Sequence, residues 1–303
     1  MDRGSELSDF LRTRRARVTP DAAGLAPDPR PRRVPGLRRD EVARLAGVST
    51  EYYTRLEQGR ARNPSPEVVE ALAAALRLDH SEREHLGNLL ARPRPAAARR
   101  APASPQRARP GLRMTLEALE RVPAFVIGRR TEVLATNRLA REVMTDFDGL
   151  PAKQRSVARF ILLNPEARHR LVDWEQGAAE TVAMLRLEAG RYPHDRQLTD
   201  LVGELMVRSP EFGHWWHDHR VLSRTHGLKR YRHPLVGQLD FHYESFPVPG
   251  DPDQVLCVYN VEPESETARA IDILGGWTAT PPPATPDRAD HRADHRANGP
   301  SAG

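Results

Sequence analysis

Apolar residues recur at helical spacing in five short segments within the first 91 residues of this chain. In the first segment, residues 5–18, Leu7, Phe10 and Leu11 share one face of a helix. The other four segments cover residues 38–46, 49–58, 65–76 and 79–91. The pattern predicts an all-α domain over residues 1–91.

Local start and stop signals frame these predicted helices. Ser49, Ser65 and Asp79 stand where an N-cap side chain would accept a hydrogen bond from the first turn. Gly47 and Gly59 follow two of the segments, at the position where a left-handed residue commonly ends a helix. The helix bounds are therefore expected to follow from local chemistry.

A second domain, predicted over residues 111–276, mixes both periodicities. Two short strand-like runs, residues 124–128 and 132–135, precede a helix-rich stretch. Three further β-type runs follow near the end, at residues 229–232, 238–246 and 254–261, and then a helix at residues 264–274. This order predicts an α+β domain with an antiparallel sheet and helices on one side of it.

Two segments lack any apolar period. Residues 92–110, rich in Pro, Ala and Arg, are predicted to form a basic linker. Residues 277–303 are Pro-rich and are predicted to be a disordered tail. His291 and His295 in this tail are four residues apart, but no further ligands accompany them, so no metal site is expected.

Charge is unevenly distributed along the chain. The first 110 residues hold 22 Arg and no Lys against 14 acidic residues, a net charge of +8, whereas the remainder has a net charge of −3. A basic domain favours a polyanionic partner. No run approaches the ~18–20 apolar residues of a membrane span, and the single cysteine, Cys257, suits a reducing compartment. A cytoplasmic, nucleoid-associated location without membrane contact is expected.

The most informative stretch is residues 37–66, LRRDEVARLAGVSTEYYTRLEQGRARNPSP. Two short helices joined through Gly47 are too close in sequence to pack antiparallel, and they share a core of Val42, Leu45, Val48, Tyr53 and Leu56. The outward face of the second helix then carries Thr50, Glu51, Tyr52 and Arg55. A helix held in this way enters the major groove of DNA.

Residues 38–78 resemble a helix-turn-helix of the XRE/Cro type, through RLAGVS at the turn and LEQG at the end of the second helix. The resemblance implies base contacts from Thr50, Glu51 and Arg55. It also implies phosphate contacts from Arg39, Arg60, Arg62 and Asn63. Glu51 would accept from a cytosine amino group, and Arg55 would fork onto a guanine.

One departure from that pattern is an insert at residues 19–36, where the family has a short turn. Its Arg30, Arg32 and Arg33 suit phosphate or minor-groove contacts, and a disordered insert is an equal alternative.

The similarity extends over residues 5–276. Segments such as VPAFVIGRR, EVLATNRLA, NPEARHRLVDWE and HPLVGQLDFHYE resemble the MmyB-like regulators, in which a helix-turn-helix precedes a PAS-like domain. The resemblance implies that the second domain binds a medium- or long-chain fatty acid and pairs subunits into a homodimer. No cofactor is required by this interpretation.

Large aromatic residues are the candidates for an apolar ligand pocket, and the alternative is that they form the core of the domain. They are Trp174, Phe212, Trp215, Phe241, Tyr243 and Tyr259. His214 and His217 are three residues apart on a predicted helix, but no matched partner indicates a metal site. No phosphate loop, nucleophile elbow or plausible nucleophilic cysteine is present, so no catalytic residue is predicted.

Three functions are consistent with these features of the sequence. The first is a dimeric, sequence-specific transcription regulator of double-stranded DNA, tuned by a fatty acid or other small apolar ligand. The alternative is an interaction module that autoregulates through its helix-turn-helix and binds a protein through its second domain. The least favoured is an enzyme with an appended DNA-binding domain.

Overall fold

The computed structural model describes residues 3–26, 34–60, 64–91, 106–222 and 225–279. Within these described residues the first domain contains five helices, each within two residues of its predicted bounds: α1 (Arg3–Arg17), α2 (Arg39–Leu45), α3 (Thr50–Glu57), α4 (Pro66–Ala75) and α5 (His80–Leu90). Arg30, Arg32 and Arg33 of the insert lie outside the described residues.

Two glycines end the helices of the helix-turn-helix. Gly47 has a φ of +66°, and the N–H of Val48 donates back to Ala43 O at 2.9 Å. Gly59, with a φ of +68°, ends α3 in the same way. Both are Schellman turns, which satisfy the last carbonyls of a helix and need a residue that tolerates the left-handed region.

The apolar faces of the five helices converge on one tightly packed core. Its fully buried members include Phe10, Leu11, Val42, Tyr53, Leu56, Leu72 and Leu86. Leu187 and Val221 of the second domain belong to the same cluster. The two domains are therefore in contact, which the sequence pattern did not predict.

The second domain contains five strands and eight helices within the described residues, besides a short 3-10 turn at Ala152–Gln154. Its elements are α6 (Pro110–Ala118), β1 (Ala124–Gly128), β2 (Val133–Thr136), α7 (Arg138–Val143), α8 (Val157–Leu163), α9 (Pro165–Arg170), α10 (Trp174–Arg191), α11 (Arg196–Arg208), α12 (Pro210–His217), β3 (His226–His233), β4 (Gly237–Val248), β5 (Asp251–Asn260) and α13 (Glu266–Ala279).

The strands form one antiparallel sheet in the order β2-β1-β5-β4-β3. Cys257 of β5 pairs with Phe125 of β1, and Tyr259 pairs with Tyr243 of β4. Residues directly opposite one another point to the same side of a sheet. These side chains belong to the main core, which also includes residues from α7 to α13.

The other side of the sheet carries α6, so the prediction of helices on one side only was wrong. Leu112 and Leu116 of α6 pack with Ala124 and Val126 of β1 in a separate small core. All five residues of β1 are buried. A strand covered on both faces forms a continuous apolar run instead of an alternation, and AFVIG in β1 is such a run.

Two predicted boundaries shift in the structure. Helix α6 begins at Pro110, inside the predicted linker, most of which (residues 92–105) lies outside the described residues. Helix α13 continues to Ala279, three residues into the predicted tail. The sequence reaches Pro281 two residues later, and helices usually end before the residue that precedes a proline. His291 and His295 lie outside the described residues.

Candidate DNA-binding surface and ligand cavity

The outward face of α3 is polar and exposed. Thr50, Glu51 and Arg55 are all exposed, whereas Tyr53 and Leu56 on the opposite side are fully buried. At the start of α3, Ser49 Oγ accepts a hydrogen bond from the N–H of Tyr52 at 3.1 Å. The structure therefore brings the three predicted base-contacting residues onto one accessible face.

A buried carboxylate braces this helix from behind. Glu57, in the last turn of α3, has a side chain only 2% exposed. Its Oε2 lies 2.8 Å from Arg15 Nε of α1, and its Oε1 lies 2.8 Å from Arg39 Nη2 of α2. Arg15 Nη1 also donates to Leu37 O at 2.9 Å. Charge-assisted bonds of this kind are strong and directional, so α3 is tied to both neighbouring helices.

The two arginines also keep the carboxyl group of Glu57 ionised. Burial alone would raise the pKa of this carboxyl group, but the hydrogen bonds and charges of Arg15, and then of Arg39, outweigh it. The pKa of Glu57 therefore lies below its ordinary value. No spacing in the sequence signals this pair, because Arg15 and Glu57 are 42 residues apart.

The predicted phosphate-contacting residues border the same surface. Arg39 remains 48% exposed although it contacts Glu57, so its guanidinium is both held and accessible. Arg60 is exposed, and its N–H donates to Arg55 O at 2.8 Å in the turn that ends α3. Arg62 and Asn63 lie outside the described residues.

A cavity of about 380 Å³ lies in the second domain, between α10 and the sheet. One stripe of α10 forms its wall, with residues three or four apart: Gly177, Glu180, Thr181, Met184, Leu187, Glu188 and Arg191. The inner part is apolar, with Phe125, Ile127, Met144, Val157, Ile161 and Leu171.

Tyr231, Tyr259 and Cys257 of the lining are neutral at physiological pH, because burial raises the pKa of each. Tyr231 and Tyr259 face each other with their hydroxyl oxygens 3.4 Å apart, and burial raises the pKa of Tyr231 to about 12. Burial likewise raises the pKa of Cys257 to about 11, and Ser245 is its hydrogen-bond partner. A thiol with a raised pKa is a poor nucleophile, so Cys257 contributes to the wall and not to chemistry.

Charged residues of the lining are paired with one another or with near neighbours. The pairs are Lys229 with Glu180 (2.9 Å), Arg129 with Asp253 (3.3 Å) and Arg191 with Glu188 (2.5 Å). Burial raises the pKa of Glu188 despite its arginine partner. The cavity thus has an apolar inner part and a polar part whose charges are largely balanced.

Comparison with known families settles which kind of protein has this architecture. The sequence profile described as the MmyB-like transcription regulator ligand binding domain matches residues 108–274, more than half of the chain. The chain belongs to the MmyB-like transcription regulators. A second profile, described as a helix-turn-helix domain, matches residues 6–86. No curated protein sequence matches the chain significantly.

The two matches confirm the predicted architecture of this regulator: a helix-turn-helix followed by a domain with an antiparallel sheet and helices. It is a DNA-binding transcription regulator with a ligand-binding domain. Both families consist of regulator domains, which favours a function without catalysis. Among the described residues, every helix is too short or too polar to cross a membrane.

Two of the six aromatic residues predicted for the pocket, Tyr243 and Tyr259, line the cavity of this regulator. The other four, Trp174, Phe212, Trp215 and Phe241, do not contribute to its lining and pack within the main core or against it. Trp174 Nε1, for example, donates to Ile161 O at 2.7 Å. Size alone does not distinguish a core aromatic from a lining one, and small lining residues such as Gly177 gave no sequence signal.

The histidines near the end of α12 have protein partners. His219 Nδ1 lies 3.0 Å from Arg186 Nη1, and His217 Nδ1 lies 2.6 Å from Gly213 O. Across residues 3–26, 34–60, 64–91, 106–222 and 225–279, no group of three His, Cys, Asp or Glu side chains is arranged to hold a metal ion.

Proposed function

We propose that this regulator binds a two-fold DNA site as a homodimer, and that an acyl ligand in the cavity sets its affinity for DNA. The observation that carries the DNA-binding part is the exposed face of Thr50, Glu51 and Arg55 on a helix braced by Glu57. Such a face reads base edges when its helix lies in the major groove. DNA binding also requires a location inside the cell, in contact with the chromosome.

Each exposed residue has a distinct proposed role. Arg55 forks onto O6 and N7 of a guanine, and Glu51 accepts from a cytosine amino group, so these residues supply base preference. Thr50 is the third base contact. Arg39 and Arg60 contact phosphates and fix the position of the helix without reading sequence. Arg62 and Asn63 are assigned to the same phosphate contacts on the basis of the family resemblance alone.

The cavity suits a medium- or long-chain fatty acid or another small apolar ligand. Its volume of about 380 Å³ lies within the range typical of small-molecule sites, about 300–1,000 Å³. The lining stripe of α10 runs from Gly177 to Arg191, which corresponds to about 21 Å at 1.5 Å per residue. An acyl chain would bury its length against the apolar inner part, with its head group toward the charged residues.

Pairing of two subunits is proposed through the second domain, because helix-turn-helix proteins read two half-sites as dimers. Leu228 of β3 and Phe246 of β4 support pairing through the second domain, since the side chain of each is about half exposed. Leu228 alternates with the cavity-lining Lys229 and therefore points away from the cavity. Exposed large apolar residues favour contact with another protein surface.

A randomised-site binding selection tests the DNA-binding part. We expect wild-type protein to select a two-fold sequence, and Arg55→Ala to lose preference at one position in each half-site, about 1–3 kcal/mol per contact. Arg121→Ala is the matched control, because Arg121 lies in the second domain and is exposed. An unchanged base preference in Arg55→Ala would remove Arg55 from the base contacts.

Native mass spectrometry of the purified regulator tests the ligand and the dimer. We expect a dimer that retains an acyl compound from the cell. Gly177→Leu, which places a side chain in the cavity, should abolish that retention. A stoichiometric protein partner, with no bound lipid, would favour the interaction module instead.

A further inference from the structure

Helix α10 belongs to both the cavity and the contact between the domains. Leu187 is 2% exposed, packs in the core of the first domain and also lines the cavity. Arg191 lines the cavity, and its Nη2 lies 2.7 and 2.8 Å from the two carboxylate oxygens of Glu84 in α5. A molecule in the cavity would therefore touch side chains that hold the first domain.

A buried ion pair fixes α10 against α1. Arg186 has a side chain 2% exposed, and its Nη1 lies 3.1 Å from Glu6 Oε1. Its guanidinium also stacks 4.3 Å from the Trp216 ring and donates to Trp216 O. Burial lowers the pKa of Arg186 only to about 10, so it stays charged at neutral pH. A buried charge tolerates little displacement from its partner, and α10 and α1 must therefore move together or separate.

The helices α10 and α5 are in close contact where Gly190 faces the His85 ring. A Cβ added at Gly190 would lie 2.7 Å from both Cε1 and Nδ1 of the His85 ring. His85 is fully buried, and neither ring nitrogen has a hydrogen-bond partner. At Gly190, α10 is thus in close contact with α5, whereas its stripe from Gly177 to Arg191 borders the cavity of about 380 Å³.

We propose that the first domain senses the ligand through residues 186–191 of α10, and that an occupied cavity stabilises the docked arrangement of the two domains. This inference rests on the proposed function, since it requires that the cavity bind an acyl ligand. A ligand adds contacts to Met184 and Leu187 and holds α10 against the first domain. An empty cavity leaves one side of α10 without those contacts. By linkage, docking must strengthen ligand binding by the same factor.

A larger side chain at Gly190 tests this coupling in the full-length protein, with the fluorescent fatty acid cis-parinaric acid as the probe. Gly190→Ala should push α5 from α10 and weaken probe binding about fivefold or more, the usual lower range for coupled sites. The control is Gly203→Ala in α11, also a helical glycine, where the added Cβ has open space. Probe binding should be unchanged there.

Removal of the His85 ring completes a double-mutant test of the contact between Gly190 and His85. His85→Ala in the Gly190→Ala background relieves the clash and should restore most of the affinity for the probe. Should Gly190→Ala prove unfolded by circular dichroism, Glu84→Gln is the second variant. It removes the charge that pairs with Arg191 from the side away from the cavity and should weaken probe binding in the same direction.

Hydrogen exchange supplies a readout at the interface itself. The probe should slow amide exchange in α5 of the wild-type protein and have no such effect in Gly190→Ala. Equal probe affinity in all folded variants, or α5 exchange that ignores the probe, would overturn the coupling and leave the ligand site intact. Failure of wild-type protein to bind the probe would overturn the acyl-ligand site and this inference with it.

Discussion

The two domains of this regulator differ in how their interiors are filled. In the first domain small residues let helices meet closely, as at Gly59, where an added Cβ would lie 2.6 Å from Gly4 O. In the second domain Gly177 of α10 borders a cavity, and the nearest atom to an added Cβ is Lys229 Nζ at 3.7 Å. A surface that reads DNA must keep its shape, whereas a site that binds a variable ligand needs space.

The charged pairs at the two functional surfaces also differ. In the first domain Glu57 is enclosed by two arginines and holds three helices in place. In the second domain Lys229 and Glu180 pair across the cavity wall and remain partly exposed. The buried carboxylate of Glu57 therefore rigidifies the DNA-binding surface, whereas the cavity lining holds both the partly exposed Lys229–Glu180 pair and the buried Arg129.

Removal of the central carboxylate should give the largest effect. Glu57→Ala leaves the half-buried Arg15 without its carboxylate partner and should lower the free energy of unfolding by about 3–5 kcal/mol. Urea denaturation measures this change.

Glu204 is the matched control for Glu57. It also contacts two arginines, Arg159 at 2.7 Å and Arg208 at 2.8 Å, but it lies at the surface of the second domain. Glu204→Ala should cost only about 0–1 kcal/mol. Similar losses in the two variants would show that burial of Glu57 does not distinguish the domains.

Enlarged side chains should have opposite effects in the two interiors. Ala43 is fully buried in the first domain, and Ala43→Leu should overpack its core and lower stability by about 1–3 kcal/mol. Gly177→Leu should preserve stability, because the cavity receives the new side chain, and should still block probe binding. Thermal unfolding and fluorescence titration measure the two effects, and destabilisation by Gly177→Leu would contradict a preformed cavity.

Acidification should destabilise the first domain through His85. Burial, and then the charges of Arg186 and Arg14, lower the pKa of His85 to about 3. Because the folded pKa lies below the unfolded value near 6.5, the contribution to stability is complete above pH 6.5 and is lost as the pH falls toward 3. Between pH 7 and pH 5 the loss should be about 2 kcal/mol.

His85→Leu should remove most of this pH dependence, as measured by urea denaturation at each pH. His242→Leu is the control, because His242 is exposed on β4 of the second domain. Equal pH dependence in wild-type protein and His85→Leu would show that another group causes the acid loss.

The smallest effect on stability is expected at the DNA-facing surface. Arg60 is exposed, and Arg60→Ala should change the free energy of unfolding by less than about 0.5 kcal/mol. It should nevertheless weaken binding to all DNA sequences alike and reduce the salt-dependence slope by about one. A fluorescence anisotropy titration at several salt concentrations measures the slope, and an unchanged slope would exclude a phosphate contact by Arg60.

The sequence predicted the first domain better than the cavity because the signals differ in range. Ser49 and Gly59 act within one helical turn, so local spacing places the ends of α3 correctly. Glu57 depends on Arg15, which comes from another helix, and no local pattern reveals that pair. Local chemistry therefore fixes the elements, while the contacts that brace them require the fold.

The cavity shows more clearly where prediction from local sequence fails, because its walls come from α10 and from four strands. Large aromatics were plausible candidates for the lining, yet Phe212 stacks on Trp216 with ring centroids 5.3 Å apart, away from the cavity. Which side of a buried helix meets a void depends on how well its neighbours fill space. That balance is a property of packing and has no periodic signature.

The position of β5 has a consequence for synthesis of the protein. Although β5 is the last strand among the described residues, it lies at the centre of the sheet, between β1 and β4. Until residues 251–260 have left the ribosome, the β1–β2 hairpin and the β3–β4 hairpin have no strand to join them. A nascent or truncated chain that stops before β5 would thus carry DNA-binding helices without an assembled ligand chamber, and only a chain that includes β5 could respond to a ligand.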